Sequence, residues 1–485
     1  MAGLRTMRLM QLLLGINGAF GALTVDFEDQ ESIRNAASNV ADDLMTFYNG
    51  EEEGMIPGML PGPPPDGDYY WWSGAALWSS LLDHRNLTGD TTHDDSIMLG
   101  LWWQTGDNDF LPTNWTASVG NDEQASWALA AILAAETGFK DPADNNARWV
   151  DVAKTVFEDQ SNEYRRVSEG NCTGALRWQI YPSNQGYDYI STAANAAYFN
   201  LGSRLAFFTN NGTISERAAS TYDLLSDIGF VDDEFNVYDG AHVPQCDQIN
   251  RLQFSYNAAM LLQGCAHMYK YTGDEAWKSR MDGLINRTLE LFFPDGVAVE
   301  VSCENAGTCN TDMKLFKGYL HRALGSTARL VPDTADRILP VLMTSAEAAA
   351  ATCTGGEGGR MCGFAWAAGE FDEASAGAQS SVLSALISVL TQTNGPIPGE
   401  SSNGGSNDNN SNDDNSNDNN SNDDNSNDNN SNDNNSNDNN SNDNNSNGNS
   451  EAATDEEPPV NLGTRGKINL GIMLGALIAG AVVGI

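Results

Sequence analysis

Ser118-Val-Gly-Asn-Asp-Glu-Gln-Ala-Ser-Trp-Ala-Leu-Ala-Ala-Ile-Leu-Ala-Ala-Glu136 sets two adjacent carboxylates, Asp122 and Glu123, directly ahead of an uninterrupted apolar, alanine-rich run. Ala, Leu and Glu favour helix, and acids in a first turn suit the positive end of the helix dipole. Gly138, just past Glu136 and Thr137, is a natural C-cap. The stretch therefore predicts a helix of about three to four turns with paired acids at its start. Acids at such a position are ordinarily capping residues. The alternative is a catalytic carboxylate pair, and the rest of the chain decides between the two.

The pattern recurs outward in both directions. Residues 29–49 read as a helix, with Ile33, Ala36, Ala37, Val40, Leu44 and Phe47 at helical spacing. A Gly/Pro-rich loop over 54–68 empties into Tyr69-Tyr-Trp-Trp-Ser-Gly-Ala-Ala-Leu-Trp78 and a helix running to about Arg85. Loops of that length in compact domains are usually functional or disordered. Further helices are predicted over about 192–208, 255–271, 315–330, 335–352 and 376–390. Four apolar segments close on related signals: Leu87-Thr-Gly-Asp, Glu136-Thr-Gly-Phe, Phe208-Thr-Asn-Asn-Gly and Tyr271-Thr-Gly-Asp. Each is followed by a more polar helical stretch, and strand-like alternation is nearly absent. Paired apolar and polar helices over residues 22–392 predict an all-α toroid of inner and outer helices, forming one large domain. The inner-helix starts then share one rim, with a concave site between them.

Asp122 and Glu123 head one inner helix, and the aromatic block Tyr69 to Trp72 heads another. Gly186-Tyr-Asp-Tyr-Ile-Ser-Thr and Arg251-Leu-Gln-Phe-Ser-Tyr-Asn257 precede two more. Aromatic faces stack on sugar C–H surfaces while carboxylates and amides pair with hydroxyls, so this composition suits a sugar-binding cleft. Core packing is the competing reading for each aromatic residue.

The ends of the chain speak for the compartment. Residues 1–21 read as a secretory signal peptide, with Arg5 and Arg8, a short apolar run from Leu9 to Leu14, and the small residues Ala19 and Gly21. That run is too short to span a bilayer. Residues 393–460 read as a spacer whose core is eight pentads of the type Ser-Asn-Asp-Asn-Asn or Ser-Asn-Asp-Asp-Asn, from Ser406 to Asn445. With no apolar residue in the repeats there is nothing to offset the entropy cost of ordering. Residues 461–485 end in an apolar tail that fits a GPI-attachment signal, with Asn461 and Ser450 as alternative attachment residues and a tail-anchored helix as the competing reading. The formal charge of −41 argues against nucleic acid as a partner. Sequons at Asn86, Asn114, Asn171, Asn211 and Asn286 fit passage through the secretory pathway. Among the seven cysteines, Cys303/Cys309 and Cys353/Cys362 are close enough to close small loops. That leaves Cys172 with Cys246 across a longer one, and Cys265 as a buried odd thiol. The five histidines are scattered and no CxxC spacing occurs, so neither a metal nor a cofactor is expected.

At this point the chain resembles a known family. Tyr69-Tyr-Trp-Trp, Gly74-Ala, Trp78, Thr88-Gly-Asp-Thr and Asn121-Asp-Glu-Gln with Trp127 resemble glycoside hydrolase family 76, the endo-α-1,6-mannanases. Leu176-Arg-Trp-Gln-Ile180, Tyr238-Asp-Gly-Ala-His-Val243, Gln253-Phe-Ser-Tyr-Asn-Ala258, Phe316-Lys-Gly-Tyr319 and Cys353-Thr-Gly-Gly with Cys362-Gly resemble its fungal cell-wall branch. The resemblance covers about residues 24–390. It implies an (α/α)6 barrel and a retaining mechanism on two adjacent aspartates. By position Asp122 matches the nucleophile and Glu123 the general acid/base. Glu123 stands where the family carries Asp, and Ser73 where relatives often carry Glu or Gln.

The residue types fit that chemistry on their own. Retaining glycosidases hold two carboxyls about 5–5.5 Å apart, one attacking the anomeric carbon and one protonating the leaving oxygen. Candidate substrate contacts are Tyr70, Trp71, Trp72, Asn121, Gln124, Tyr187, Asp239, Tyr256 and Asn257. The expectation is an enzyme acting on α-1,6-mannan or a GPI-core glycan at the cell surface, held to the membrane by a GPI anchor. The resemblance further implies transfer of GPI-linked wall proteins onto a β-glucan acceptor. A plain hydrolase, and a catalytically inactive mannan-binding wall or adhesion protein permitted by the change at Glu123, are the rivals.

Overall fold

The computed structural model describes residues 21–112, 119–143 and 146–390. The signal peptide, the repeat spacer, the apolar tail and the Asn114 sequon lie outside those residues, except Gly21 at the boundary. Twelve α-helices carry the described part: α1 (Gln30–Met45), α2 (Trp72–Thr88), α3 (Asp94–Gln104), α4 (Asn121–Glu136), α5 (Trp149–Gln160), α6 (Thr192–Thr209), α7 (Gly212–Ile228), α8 (Ser255–Thr272), α9 (Glu275–Phe292), α10 (Phe316–Leu330), α11 (Ala335–Ala351) and α12 (Ala376–Ser388). A small antiparallel pair, β1 (Tyr189–Ser191) with β2 (Gly240–His242), is the one sheet among the described residues.

Even-numbered helices form the inner ring. Each of α2, α4, α6, α8, α10 and α12 packs on the next, and α12 closes back on α2. Their sequences explain why they can be enclosed on all sides. Every residue of α12 is buried, and α4 is buried from Gln124 to Ala134. Small side chains let backbones approach: a Cβ on Gly318 or Gly325 of α10 would meet the Cα of Ser381 or Ser388 on α12 at 3.0 and 3.1 Å. Serine hydroxyls in the ring bond across or back along helices, as Ser80 does with Ser380 at 2.8 Å. Odd-numbered helices lie outside and bury one stripe each. In α9 that stripe is Trp277, Met281, Leu284, Ile285, Thr288 and Phe292.

The recurring Thr-Gly signals share one structure. Thr88, Thr137, Thr209 and Thr272 each donate their hydroxyl to the carbonyl four residues back, at 2.6–2.8 Å. The next residue or the same turn goes left-handed, at Gly89, Gly138, Asn210 and Gly273. These ends all lie at one pole, where connections are as short as Asn210–Asn211 and Gly273–Asp274. The chain's last described residue, Leu390, is at this pole too, its carbonyl 3.5 Å from Arg329 at the end of α10. A buried ion pair, Arg204 with Glu136, ties α6 to α4 there; a cation so placed also opposes the converging negative helix ends.

The opposite pole carries the inner-helix starts and the described parts of the long connections: residues 46–71, 105–112 with 119–120, 161–191, 229–254, 293–315 and 352–375. All three disulfides, Cys172–Cys246, Cys303–Cys309 and Cys353–Cys362, staple these long loops, and Cys265 is free and buried. Of the sequons, Asn86 is 4% exposed inside α2, so the folded chain has no room for a glycan there. No described helix is long and apolar enough to cross a membrane.

Candidate active site

The pair Asp122–Glu123 lies in the first turn of α4, at the pole of the inner-helix starts. Gly120 is the N-cap, and its N–H donates to Glu123 Oε2 at 2.9 Å. Glu123 thus reaches back over its own helix start, a contact that needs the length of a glutamate side chain. Asp122 is held differently. Its Oδ1 accepts the Glu123 N–H at 3.0 Å, and its Oδ2 accepts Trp178 Nε1–H at 2.9 Å. Trp178 comes from the long connection between α5 and β1, and its backbone carbonyl also accepts the Asn121 N–H at 2.8 Å. Gly186 makes room for that indole: φ is +91° and a Cβ would lie 2.4 Å from the ring.

Both carboxyls keep part of their surface open while protein crowds them on the remaining sides. Burial therefore pushes both above the ordinary carboxylate range. The indole and backbone donors pull Asp122 back toward the ionised form. Glu123 has one such donor, Gly120 N–H, and it also feels the Asp122 charge, which raises it further. The geometry orders the two: the first proton leaves Asp122, and Glu123 keeps the second.

A third carboxyl joins them. Asp312, just ahead of α10, is 2% exposed and accepts Trp72 Nε1–H at 2.8 Å through Oδ1. Burial pushes it up to about 6, and its charge adds to the upward push on Asp122, Glu123 and Tyr70. The Trp72 ring lies within about 6 Å of Tyr256, Phe316 and Tyr319, centroid to centroid at 6.2, 6.3 and 6.2 Å. These rings pack as one cluster, and Tyr256 Oη reaches Ser126 Oγ of α4 at 3.4 Å.

The sequence-proposed contacts divide. Tyr70 is half-buried between the influence of Asp312 and Glu123. Trp72 and Tyr256 sit in the ring cluster, and Asn257, next along α8, has no side-chain hydrogen bond among the described residues. Asp239 accepts from Tyr189 Oη at 2.6 Å and Asn250 Nδ2 at 2.9 Å, and burial raises its carboxyl. Tyr187 is half-buried under the Arg177 guanidinium, 4.4 Å above its ring. Three residues correct the sequence reading. Trp71 is core, stacked on Trp127 at 5.4 Å with Nε1 bonded to Gln104 Oε1. Asn121 and Gln124 are fully buried, and their amides are spent within the protein. Arg165 donates to Asn121 Oδ1 and Gln124 Oε1 at 2.8 and 2.7 Å, while the two amide nitrogens bond the Arg177 and Asp109 carbonyls. They fix the pose of the helix start, and Arg165 is their clamp. Among the described residues no cluster suited to a metal ion occurs.

Comparison with known proteins identifies the family. The model of glycosyl hydrolase family 76 matches residues 32–400. The mannan endo-1,6-α-mannosidase DCW1 of Saccharomyces cerevisiae is 37% identical over 390 residues, 79% of this chain and 85% of its own. Its namesake in Candida glabrata is 36% identical over 408 residues, 82% and 89%. Dfg5 of Chaetomium thermophilum, solved in complex with glucosamine, is 46% identical with a TM-score of 0.75, covering 78% of this chain and 94% of that one. An α-1,6-mannanase of a Salegentibacter species, solved with α-1,6-mannotriose, shares the fold at 16% identity, a TM-score of 0.60 and coverage of 75% and 100%. Family 76 structures are (α/α)6 barrels, the architecture that the closed ring of α2, α4, α6, α8, α10 and α12 forms. With that architecture and those relatives, the chain is a glycosidase and a member of glycoside hydrolase family 76.

Proposed function

We propose that the chain is a retaining endo-α-1,6-mannosidase with Asp122 as nucleophile and Glu123 as general acid/base. One observation carries the assignment of roles: both carboxyls are pushed upward by burial, but Asp122 accepts two hydrogen bonds where Glu123 accepts one, so Glu123 is the one that holds its proton longer. Asp122, stabilised as the anion by Trp178 Nε1–H and the Glu123 N–H, attacks the anomeric carbon. Glu123 gives its proton to the leaving glycosidic oxygen as the C–O bond breaks. The mannosyl–Asp122 ester is then opened by an acceptor hydroxyl, whose proton returns to Glu123.

The substrate is α-1,6-linked mannose in mannan or in a GPI-core glycan, in keeping with the names of the relatives. Where the acceptor is a glucan hydroxyl rather than water, the same cycle moves a GPI-linked wall protein onto the β-glucan of the wall. The signal peptide and the GPI-type tail would carry the enzyme to the cell surface and hold it at the membrane. Asp122→Asn is expected to lower turnover of an α-1,6-mannobioside by at least 10³-fold; unaffected turnover would overturn the catalytic assignment. Wild-type enzyme incubated with glucan oligosaccharides is expected to yield mannosyl-glucan products. Free mannosides alone would remove the transfer step.

A further inference from the structure

A groove of about 720 Å³ runs between the outer helices α5 and α7, bordered by Arg166, Thr173 and Gly174 and reaching down to Tyr198 of α6. Neither Asp122 nor Glu123 lines it. Its volume lies within the range of about 300–1,000 Å³ usual for small-ligand sites. Leu224 is the one aliphatic side chain in its lining, so an apolar ligand gains little there. The charged groups balance. Arg217 pairs with Glu158 at 2.6 Å and Asp223 with Arg280 at 2.7 Å, while the remaining two, Arg166 and Asp227, are opposite in sign. No net charge is left to draw an ion. The hydroxyls are oriented as well: Thr173, Ser220 and Thr221 give their protons to the carbonyls of Gly170, Glu216 and Arg217, at 2.7, 2.9 and 3.2 Å, and so face a ligand as acceptors. Arg166 supplies the donor side. Its Nε and Nη1 bond the carbonyls of Gln160 and Gly174, its guanidinium lies 4.5 Å over the Tyr198 ring, and Nη2 is enclosed without a partner in hydrogen-bond geometry. A phosphate or carboxylate, which only accepts, meets mostly acceptors in this groove. A sugar hydroxyl gives and accepts at one atom and suits the mixture.

We propose that the groove between α5 and α7 is a second binding site, for a neutral oligosaccharide, which holds one stretch of a polymeric glycan while the paired acids work on another. The same short hairpin borders the groove and supports the nucleophile. Arg166 pairs with Leu176 across an antiparallel bridge, and just beyond it Trp178 bonds Asp122. Arg165, one residue away, turns to Asn121 and Gln124 instead. The use of α-1,6-mannan as a probe rests on the mannosidase reading above; the class of ligand rests on the groove alone.

The test runs the full chain at neutral pH through native gels that contain soluble α-1,6-mannan or soluble β-1,3-glucan, where binding reads as retardation. Ser220→Trp fills the groove from an exposed position on α7, and Arg166→Gln removes the guanidinium. Each is expected to weaken the apparent affinity for the retarding polymer by about tenfold or more. With Ser220→Trp, KM for α-1,6-mannan is expected to rise while kinetics on an α-1,6-mannobioside stay as in the wild type. No retardation of the wild type in either gel would overturn the proposal. So would retardation that Ser220→Trp leaves unchanged, or retardation relieved by inorganic phosphate and not by α-1,6-mannotriose. Absence of mannobioside turnover in the wild type counts against the mannosidase reading alone, because the β-1,3-glucan gel still reports on the groove.

Discussion

Gly120 is glycine because of a side chain two residues away, and Gly120→Ala tests that claim. Its φ of −89° and ψ of 162° are open to any residue, so the chain path does not ask for glycine. A Cβ there would stand 2.4 Å from Asp122 Oδ1. A carbon and an oxygen normally rest at roughly 3.3 Å or more, so the carboxylate must retreat by about 1 Å. That retreat pulls on the bonds from the Glu123 N–H and from Trp178 Nε1–H. A displacement of this size at a reacting group costs about 10²-fold in rate. The stability terms oppose each other: overpacking costs about 1–3 kcal/mol, while alanine at a compatible φ/ψ returns about 0.4–1 kcal/mol through the unfolded chain. The expected outcome is kcat on an α-1,6-mannobioside reduced by roughly 100-fold, with KM little changed and unfolding free energy lower by at most about 2.5 kcal/mol. A folded Gly120→Ala enzyme with kcat within about threefold of wild type would refute the reasoning.

Three other outcomes follow from the same geometry. Trp178→Phe removes a donor to the ionised Asp122, so its carboxyl rises further and the acid limb of kcat/KM moves to higher pH; an unmoved limb in the pH profile would refute the role given to the indole. Glu136→Gln leaves the Arg204 guanidinium enclosed without its counter-charge and is expected to cost about 3–5 kcal/mol in urea unfolding. Glu300, buried under the start of α8 and bonded to Ser255, is raised to about 8 from 4.5. A raised carboxyl contributes stability that is complete below pH 4.5 and is lost as pH climbs through 8, so Glu300→Gln should flatten the fall in unfolding free energy between those values.

The helices and their pairing were legible because their signals are local. The apolar runs of the inner ring, the polar runs outside it and the Thr-Gly closures all sit within a few residues of the structure they make. The paired acids were legible for the same reason. Neighbourhood in sequence was a poor guide to what else lies near the paired acids. Asn121 and Gln124 flank the pair, yet they lie three residues apart on one helix face that turns to Arg165. Trp71 precedes Trp72 by one residue, and one indole enters the core while the other reaches Asp312. Asp312 carries no local signal at all, sitting in Asn310-Thr-Asp-Met313 with its partner Trp72 on the far side of the sequence. Trp178 stood inside the motif beginning at Leu176, but nothing in that motif told that its indole would hold the nucleophile.

The last described residue, Leu390, lies beside the end of α10, and the paired acids are at the other end of the inner helices. An inner helix such as α2, with 17 residues, sets the distance between those two poles at roughly 25 Å. A change among the tight turns of the closing pole therefore reaches the paired acids only through the helices between them.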